Sequence, residues 1–176
     1  MLSKHLLDNG LSVILLQDYS SSLVSIRVMV RAGSIHESPH LGSGKSHFLE
    51  HLVAGGATCE HDESDYKKMI SMMGGAYNAY TTSDHTAYYI NTTTKHCLEA
   101  ISILSQWGTS ARLSKSAFDR EKAVIIKEIE KNLVDVDRVF YQLCQQHFYK
   151  HHPISLPVIG FLDNFNQLTH DDLVHY

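Results

Sequence analysis

Two histidines and a glutamate lie within one five-residue segment, His47-Phe48-Leu49-Glu50-His51. An α-helix turns by about 100° per residue, so His47 and His51 would lie about 40° apart on one face, one turn from each other. Two imidazoles so placed can share one tetrahedral metal ion, and Glu50 can take a proton from the metal's water. The H-x-x-E-H pattern therefore predicts a hydrolytic metal site, although so short a motif also arises by chance on exposed helices.

A third metal ligand has to come from another part of the chain. Phe118, Glu121, Ile125 and Glu128 recur at helical spacing, which puts both glutamates in phase with a buried stripe. Glu130 falls on the opposite, solvent-facing side. Carboxylates on a buried stripe are costly unless they are compensated. A bound cation would compensate them; the alternatives are a buried arginine, or carboxylates that reach solvent at the edge of the stripe.

The residues just before the motif, Gly44-Lys45-Ser46, match the end of a phosphate-binding loop. The full pattern, G-x-x-x-x-G-K-[ST], requires a glycine at position 39, where this chain has Pro39. Proline has a fixed φ and no N–H to offer a phosphate. The preceding strand is also predicted to end near Arg31, well before the loop. The sequence therefore favours a flexible glycine loop that leads into a helix.

Periodicity and turn signals predict the elements that position these residues. The predicted strands are 4–7, 11–17, 23–31, 77–82 and 86–92. The predicted helices are 47–53, 64–73 and 95–107, followed by a long helix and a short one. The long helix is predicted to start near Ser116, with Asp119 as its capping-box residue, to break near 134–137 and to resume through His147. The short helix is predicted to begin around Thr169. This order predicts an α+β domain, a largely antiparallel sheet with helices packed on one face. Because the chain stops at Tyr176, the sheet is expected to lack its last strand.

Composition and charge argue against several function classes. The net charge is −4 and no run of Lys and Arg is present, so we expect no nucleic-acid partner. No apolar stretch approaches the roughly 20 residues that span a bilayer, so we expect no membrane partner. The three cysteines are widely spaced, which fits a reducing compartment rather than a disulfide framework. With no apolar signal-peptide core near the N-terminus, a cytoplasmic location is predicted.

Six segments together resemble the pitrilysin-type zinc peptidases, the M16 or inverzincin family. In chain order they read LDNGLSVILLQD, AGSIHE, HFLEH, GGAYNAYTTSDHTAYY, DREKAVIIKEIE and HPISLPVIG. The resemblance covers essentially the whole chain, and several motifs in the family's order are more specific than any one alone. It implies a zinc-dependent endopeptidase that hydrolyses peptides or unfolded segments with a zinc-activated water.

The resemblance also assigns roles to individual residues of this chain. His47, His51 and Glu128 match the three zinc ligands, Glu50 matches the catalytic base, and Glu121 matches a glutamate that supports the ligands from outside. These roles follow from the family pattern, residue by residue.

A second family motif, Asn-Ala-x-Thr, matches Asn78, Ala79 and Thr81 on a predicted edge strand. The resemblance implies that these three residues bind substrate, because an extended peptide adds to that edge by main-chain pairing. One departure lies after His51, where the usual bulky apolar residues are replaced by the smaller run 52–57, which contains Gly55 and Gly56.

Residues 1–176 are predicted to form a single N-terminal M16-like peptidase domain, incomplete at its C-terminus, with no second homologous domain. A complementary M16 domain or subunit is therefore expected as a partner, and this chain alone is expected to bind zinc with little or no turnover. Two alternatives stay open. One is a noncatalytic M16-like subunit or truncated product that acts as an interaction partner. The other is an S-ribosylhomocysteine lyase-like enzyme, which would use a cysteine as the third ligand.

Overall fold

The computed structural model describes residues 1–176, which form five strands and seven α-helices. The strands are β1 (Leu2–Leu6), β2 (Ser12–Leu16), β3 (Leu23–Val30), β4 (Ala76–Thr81) and β5 (Thr86–Thr93). The helices are α1 (Lys45–Val53), α2 (Glu63–Met72), α3 (Cys97–Ser110), α4 (Lys115–Val134), α5 (Val136–Phe148), α6 (Leu162–Gln167) and α7 (His170–Val174). None of these helices has both the length and the apolar composition that a bilayer span requires.

The strands confirm the antiparallel prediction but divide into two sheets. β1 and β2 pair as a separate hairpin, whose turn contains Gly10 at a φ of 85°. The other sheet has the order β3-β5-β4, and both of its pairings are antiparallel. β4 is therefore an edge strand, as predicted, and one side of its backbone remains free to pair with another chain.

The helices differ from the predictions mainly at their ends. Helix α4 begins at Lys115, which agrees with the predicted start near Ser116. The Ser114 hydroxyl accepts a hydrogen bond from the Ala117 amide and caps the helix, so the prediction of Asp119 as the capping-box residue was wrong. The predicted break after α4 is confirmed at Asp135, which caps α5. Helix α6 was not predicted, because its six residues are too few to reveal a helical period.

Helices cover one face of the three-stranded sheet and bury the larger core. On that face Ile90 of β5 lies opposite Ile26 of β3 and Tyr77 of β4. The helical side chains that pack against this face come from the end of α1, from α2 and from α3 and are Val53, Tyr66, Ile70, Ile103, Leu104 and Trp107. The alternation predicted for the third strand thus does put one of its faces in the core.

A second core fixes α1 against α4. Phe48 of α1 is fully buried and stacks on Phe118 of α4, with 4.8 Å between ring centroids. Leu52, Ile125 and Ile129 belong to the same cluster, which α6 and α7 close from the other side. The apolar residues of this core are interspersed with the histidines on α1 and with the glutamates on α4. The packing of α1 on α4 therefore sets the distance between the histidines and the glutamates.

The N-terminus of α1 is held by a buried carboxylate. Glu37 is fully buried, and its side chain accepts hydrogen bonds from the Ser46 amide at 2.8 Å and the Gly44 amide at 3.1 Å. Burial raises the pKa of Glu37, while hydrogen bonds from the first turn of α1 oppose that shift. The carboxylate therefore occupies the amides that a phosphate would need, which is a second argument against a phosphate loop.

Replacing Glu37 with glutamine is expected to lower the free energy of unfolding by about 2 kcal/mol. The two carboxylate oxygens of Glu37 accept hydrogen bonds from backbone amides, and in glutamine an NH2 group would replace one of these acceptors. Urea denaturation followed by circular dichroism measures the loss. The matched control is Glu130→Gln, since Glu130 is exposed and makes no ion pair. Equal stability of the two variants would contradict the role assigned to Glu37.

Candidate metal centre

Helices α1 and α4 bring His47, His51 and Glu128 to one point. Each of the three offers a ligand atom, and these atoms all lie within 4.8 Å of one another. Oε2 of Glu128 is 3.9 Å from Nε2 of His47 and 3.7 Å from Nε2 of His51. The three residues predicted as ligands, which are separated by up to 81 positions in the sequence, thus form one cluster.

The donor set suits a zinc ion. Zinc binds histidine nitrogen and carboxylate oxygen at about 2.0–2.2 Å, so two donors of a tetrahedral site lie about 3.4 Å apart. The observed 3.7 and 3.9 Å require only small side-chain rotations. His47 also lacks any hydrogen bond, and its Nδ1 is buried without a partner. A largely buried imidazole with no hydrogen bond is unfavourable unless something else binds it.

Electrostatics keep His47 in the form that binds metals. Burial, followed by the charges of His51 and Arg138, lowers the pKa of His47 to about 3. The imidazole is therefore neutral at physiological pH, and a neutral imidazole has a lone pair to donate to a cation.

Glu50 lies beside this cluster without belonging to it. Its side chain is buried, and Oε2 accepts a hydrogen bond of 3.0 Å from Oγ1 of Thr81. Burial raises the pKa of Glu50, while the Thr81 hydrogen bond and the His51 charge oppose the shift and the Glu128 charge adds to it. A raised pKa brings a carboxylate closer to the range in which it can both take and return a proton near neutral pH.

Glu121 lies behind His51. Its Oε2 is 3.6 Å from Nδ1 of His51, on the ring edge away from Glu128, and its Oε1 accepts a hydrogen bond of 3.0 Å from Arg120. This is the position from which a carboxylate can orient a ligating imidazole. The distance is longer than a hydrogen bond, so contact would require a small movement of one side chain.

The cluster opens into a cleft of about 1030 Å³ whose wall includes every residue of β4 from Tyr77 to Thr81. The three residues predicted to bind substrate, Asn78, Ala79 and Thr81, have different surroundings. Asn78 is exposed, and its Oδ1 accepts a hydrogen bond from the Ala79 amide at 2.9 Å. Ala79 packs partly against the larger core. The Thr81 side chain contacts Glu50, a tertiary pairing that no local pattern in the sequence could reveal.

The small residues after His51 allow β4 to approach α1. Gly55 has a φ of 73°, and a Cβ atom at this position would lie 2.5 Å from the Tyr77 hydroxyl. A larger residue here would be strained at this positive φ and would displace the Tyr77 side chain. The departure from the usual bulky sequence is therefore matched by close packing against Tyr77.

The cysteines lie outside the metal centre, whereas one arginine missed by the sequence reasoning lies beside it. Cys59 is exposed, Cys97 and Cys144 are partly exposed, and none belongs to the cluster of ligand atoms. Arg138, in the first turn of α5, lines the cleft. Its position depends on the break between α4 and α5, so no spacing in the chain links it to the histidines.

Comparisons with known proteins agree with this fold. The chain is 32% identical over 170 residues to the mitochondrial-processing peptidase subunit beta of Saccharomyces cerevisiae, covering 97% of this chain and 36% of that protein. It is 26% identical over its whole length to the uncharacterized zinc protease YmxG of Bacillus subtilis, of which it covers 42%. A crystal structure of a protease from Helicobacter pylori superposes with a TM-score of 0.92 at 25% identity, covering 99% of this chain and 42% of that one.

The chain spans about two fifths or less of the length of these relatives. Residues 12–160, most of the chain, match the family described as Insulinase (Peptidase family M16). The family pattern seen in the sequence and the fold seen in the structure thus agree, and the chain belongs to peptidase family M16.

Proposed function

We propose that this chain is the zinc-bearing part of an endopeptidase that hydrolyses peptides or unfolded segments. One observation carries the proposal: the His47, His51 and Glu128 donors converge within 4.8 Å, next to the buried carboxylate of Glu50. One relative, YmxG of Bacillus subtilis, is named as a zinc protease, which adds support at the level of the family.

The residues divide the work between holding the metal and moving a proton. His47, His51 and Glu128 would hold the ion, with Glu121 orienting His51. Zinc, when bound, supplies a Lewis acid that lowers the pKa of a water molecule to near neutrality and polarises a carbonyl. Glu50 would take the proton of the attacking water and return it to the leaving amine. Thr81 donates a hydrogen bond to Oε2 of Glu50, whereas Oε1 has no such partner and is free to take that proton.

The free edge of β4 would hold the substrate. An extended peptide that pairs with residues Tyr77–Thr81 would run along the cleft wall beside Glu50 and the metal ligands. Main-chain pairing gives affinity with little demand on sequence, and side-chain pockets add specificity. Asn78, Ala79 and Thr81 would then bind substrate mainly through their backbone, with the Asn78 side chain as the exposed polar contact.

We further propose that residues 1–176 act as one N-terminal domain that needs a complementary M16 domain or subunit for turnover. The name of one relative, a subunit beta, supports an assembly of more than one part. The cytoplasmic location remains a prediction from the sequence.

Metal removal tests the proposal directly. The full-length protein, together with any partner subunit, is treated with a zinc chelator. This treatment is expected to abolish cleavage of an unstructured peptide, and added zinc is expected to restore it. Cleavage is measured by the release of fluorescence from a quenched peptide. Full activity after verified loss of zinc would refute a zinc peptidase.

The two alternatives have less support. A noncatalytic subunit would not need the complete donor set and base that this chain has. A lyase with a cysteine ligand would need a cysteine at the cluster, and all three cysteines lie elsewhere.

A further inference from the structure

Four cationic side chains line the cleft, and three of them form hydrogen-bonded ion pairs with neighbouring carboxylates. These four are Lys67, Arg112, Arg120 and Arg138. Lys67 lies 2.7 Å and Arg120 2.9 Å from the Glu63 carboxylate. Arg112 forms an ion pair with Asp62. The fourth cation, Arg138, differs from the others.

The guanidinium of Arg138 makes no hydrogen bond. Its nearest carboxylate is that of Asp135, at 3.9 Å from Nε, and no ion pair joins it to Glu121 or Glu128. This contact is a long, solvent-exposed ion pair between Nε and Oδ2 of Asp135, while Oδ1 of Asp135 accepts the Arg138 amide at the start of α5. The side chain is 63% exposed, so its five N–H donors are available to a bound molecule.

Arg138 also lies close to the metal centre. It lines the same cleft as His47, Glu50 and Glu128, and its charge contributes to the environment of His47. A peptide held along β4, with its scissile bond at the metal, would therefore have a side chain near this guanidinium. Guanidinium groups bind carboxylates through two parallel hydrogen bonds, a geometry that a neutral or basic side chain cannot reproduce.

We propose that Arg138 is a specificity-determining residue that selects peptides with an aspartate or glutamate side chain near the scissile bond. This inference rests on the proposed peptidase function and adds the class of substrate to it. Five carboxylates line the cleft. Asp62, Glu63 and Glu121 are each paired with a cation, and Glu128 would be neutralised by the metal, which leaves Glu50 as the one that would oppose such a substrate.

The test compares quenched peptides that differ only in carrying glutamate, glutamine or lysine at one position, scanned on both sides of the cleaved bond. In the zinc-loaded full-length protein, glutamate is expected to exceed lysine in kcat/KM at one position by roughly fivefold, the effect of one partly exposed ion pair. Arg138→Gln is expected to abolish this preference, and Arg138→Glu to reverse it. Arg31→Gln, which removes the same charge from an exposed site outside the cleft, is expected to leave it unchanged.

Binding gives a readout that does not depend on turnover. The same labelled peptides are titrated into Glu50→Gln and into Glu50→Gln combined with Arg138→Gln, and fluorescence anisotropy reports their affinities. If only the variant with Arg138→Gln loses the preference for glutamate, the proposal for Arg138 is supported, whether or not hydrolysis is detected. An absence of hydrolysis would count against the peptidase function and not against the role of Arg138. Equal preference with and without Arg138, or an equal loss in Arg31→Gln, would overturn the proposal while leaving zinc-dependent cleavage intact.

Discussion

Replacing Glu50 with glutamine is expected to reduce peptide hydrolysis by at least about 10²-fold, and by up to about 10⁴-fold, while leaving bound zinc in place. Glutamine keeps the size of the side chain and can still accept the Thr81 hydrogen bond, but it cannot take a proton. Because Glu50 does not belong to the cluster of ligand atoms, its loss should leave the metal donors unchanged. The kcat/KM for a quenched peptide and the zinc content of the same sample measure the two effects.

The matched control for this substitution is Glu130→Gln. Glu130 lies on the exposed side of α4 and makes no ion pair, so its neutralisation changes the net charge by the same amount without touching the cleft. Unchanged hydrolysis in a zinc-loaded Glu50→Gln protein would exclude Glu50 as the base. A loss of zinc along with activity would assign Glu50 to metal binding instead.

The fold was largely predictable because its elements carry strong periodic signals. Alternation in β3 and the helical spacing of Phe118, Ile125 and Ile129 on α4 both correspond to faces that are buried in the structure. The division into two sheets was not predictable, since a hairpin with a good turn pairs locally whether or not it joins a larger sheet. The same limit applies to α6, which is too short to show a period.

The candidate site was predictable where its residues share one helix. His47, Glu50 and His51 are related by helical geometry alone. The in-phase glutamates of α4 predicted carboxylates beside a buried stripe, and in the structure Glu121 and Glu128 lie there partly exposed. Contacts between elements carried no such signal. The Thr81 hydrogen bond to Glu50 and the exposure of Arg138 depend on how β4 and α5 pack beside α1 and α4.

Replacing Glu128 with glutamine is expected to weaken zinc binding by more than about 100-fold, because it replaces a negatively charged carboxylate ligand with a neutral amide. Substitution of a residue that contacts a metal ligand, without binding the metal itself, typically lowers metal affinity by about 10- to 100-fold. The loss of zinc affinity in Glu121→Gln should fall in that lower range. The fold should survive, since the Glu128 side chain is 36% exposed and contributes nothing to the second core. Competition with a chromophoric chelator measures the zinc affinity, and circular dichroism checks the fold.

The order of the effects is the decisive result. Oε2 of Glu128 lies 3.7 Å from Nε2 of His51, the nitrogen that faces the cluster. Oε2 of Glu121 lies 3.6 Å from Nδ1 of the same ring. The two glutamates are therefore at similar distances from His51 but on different sides of its ring. A larger loss for Glu121→Gln than for Glu128→Gln would exchange their roles. A loss caused by serine at Cys59, Cys97 or Cys144, with Glu128→Gln unaffected, would instead favour a cysteine ligand and the lyase alternative.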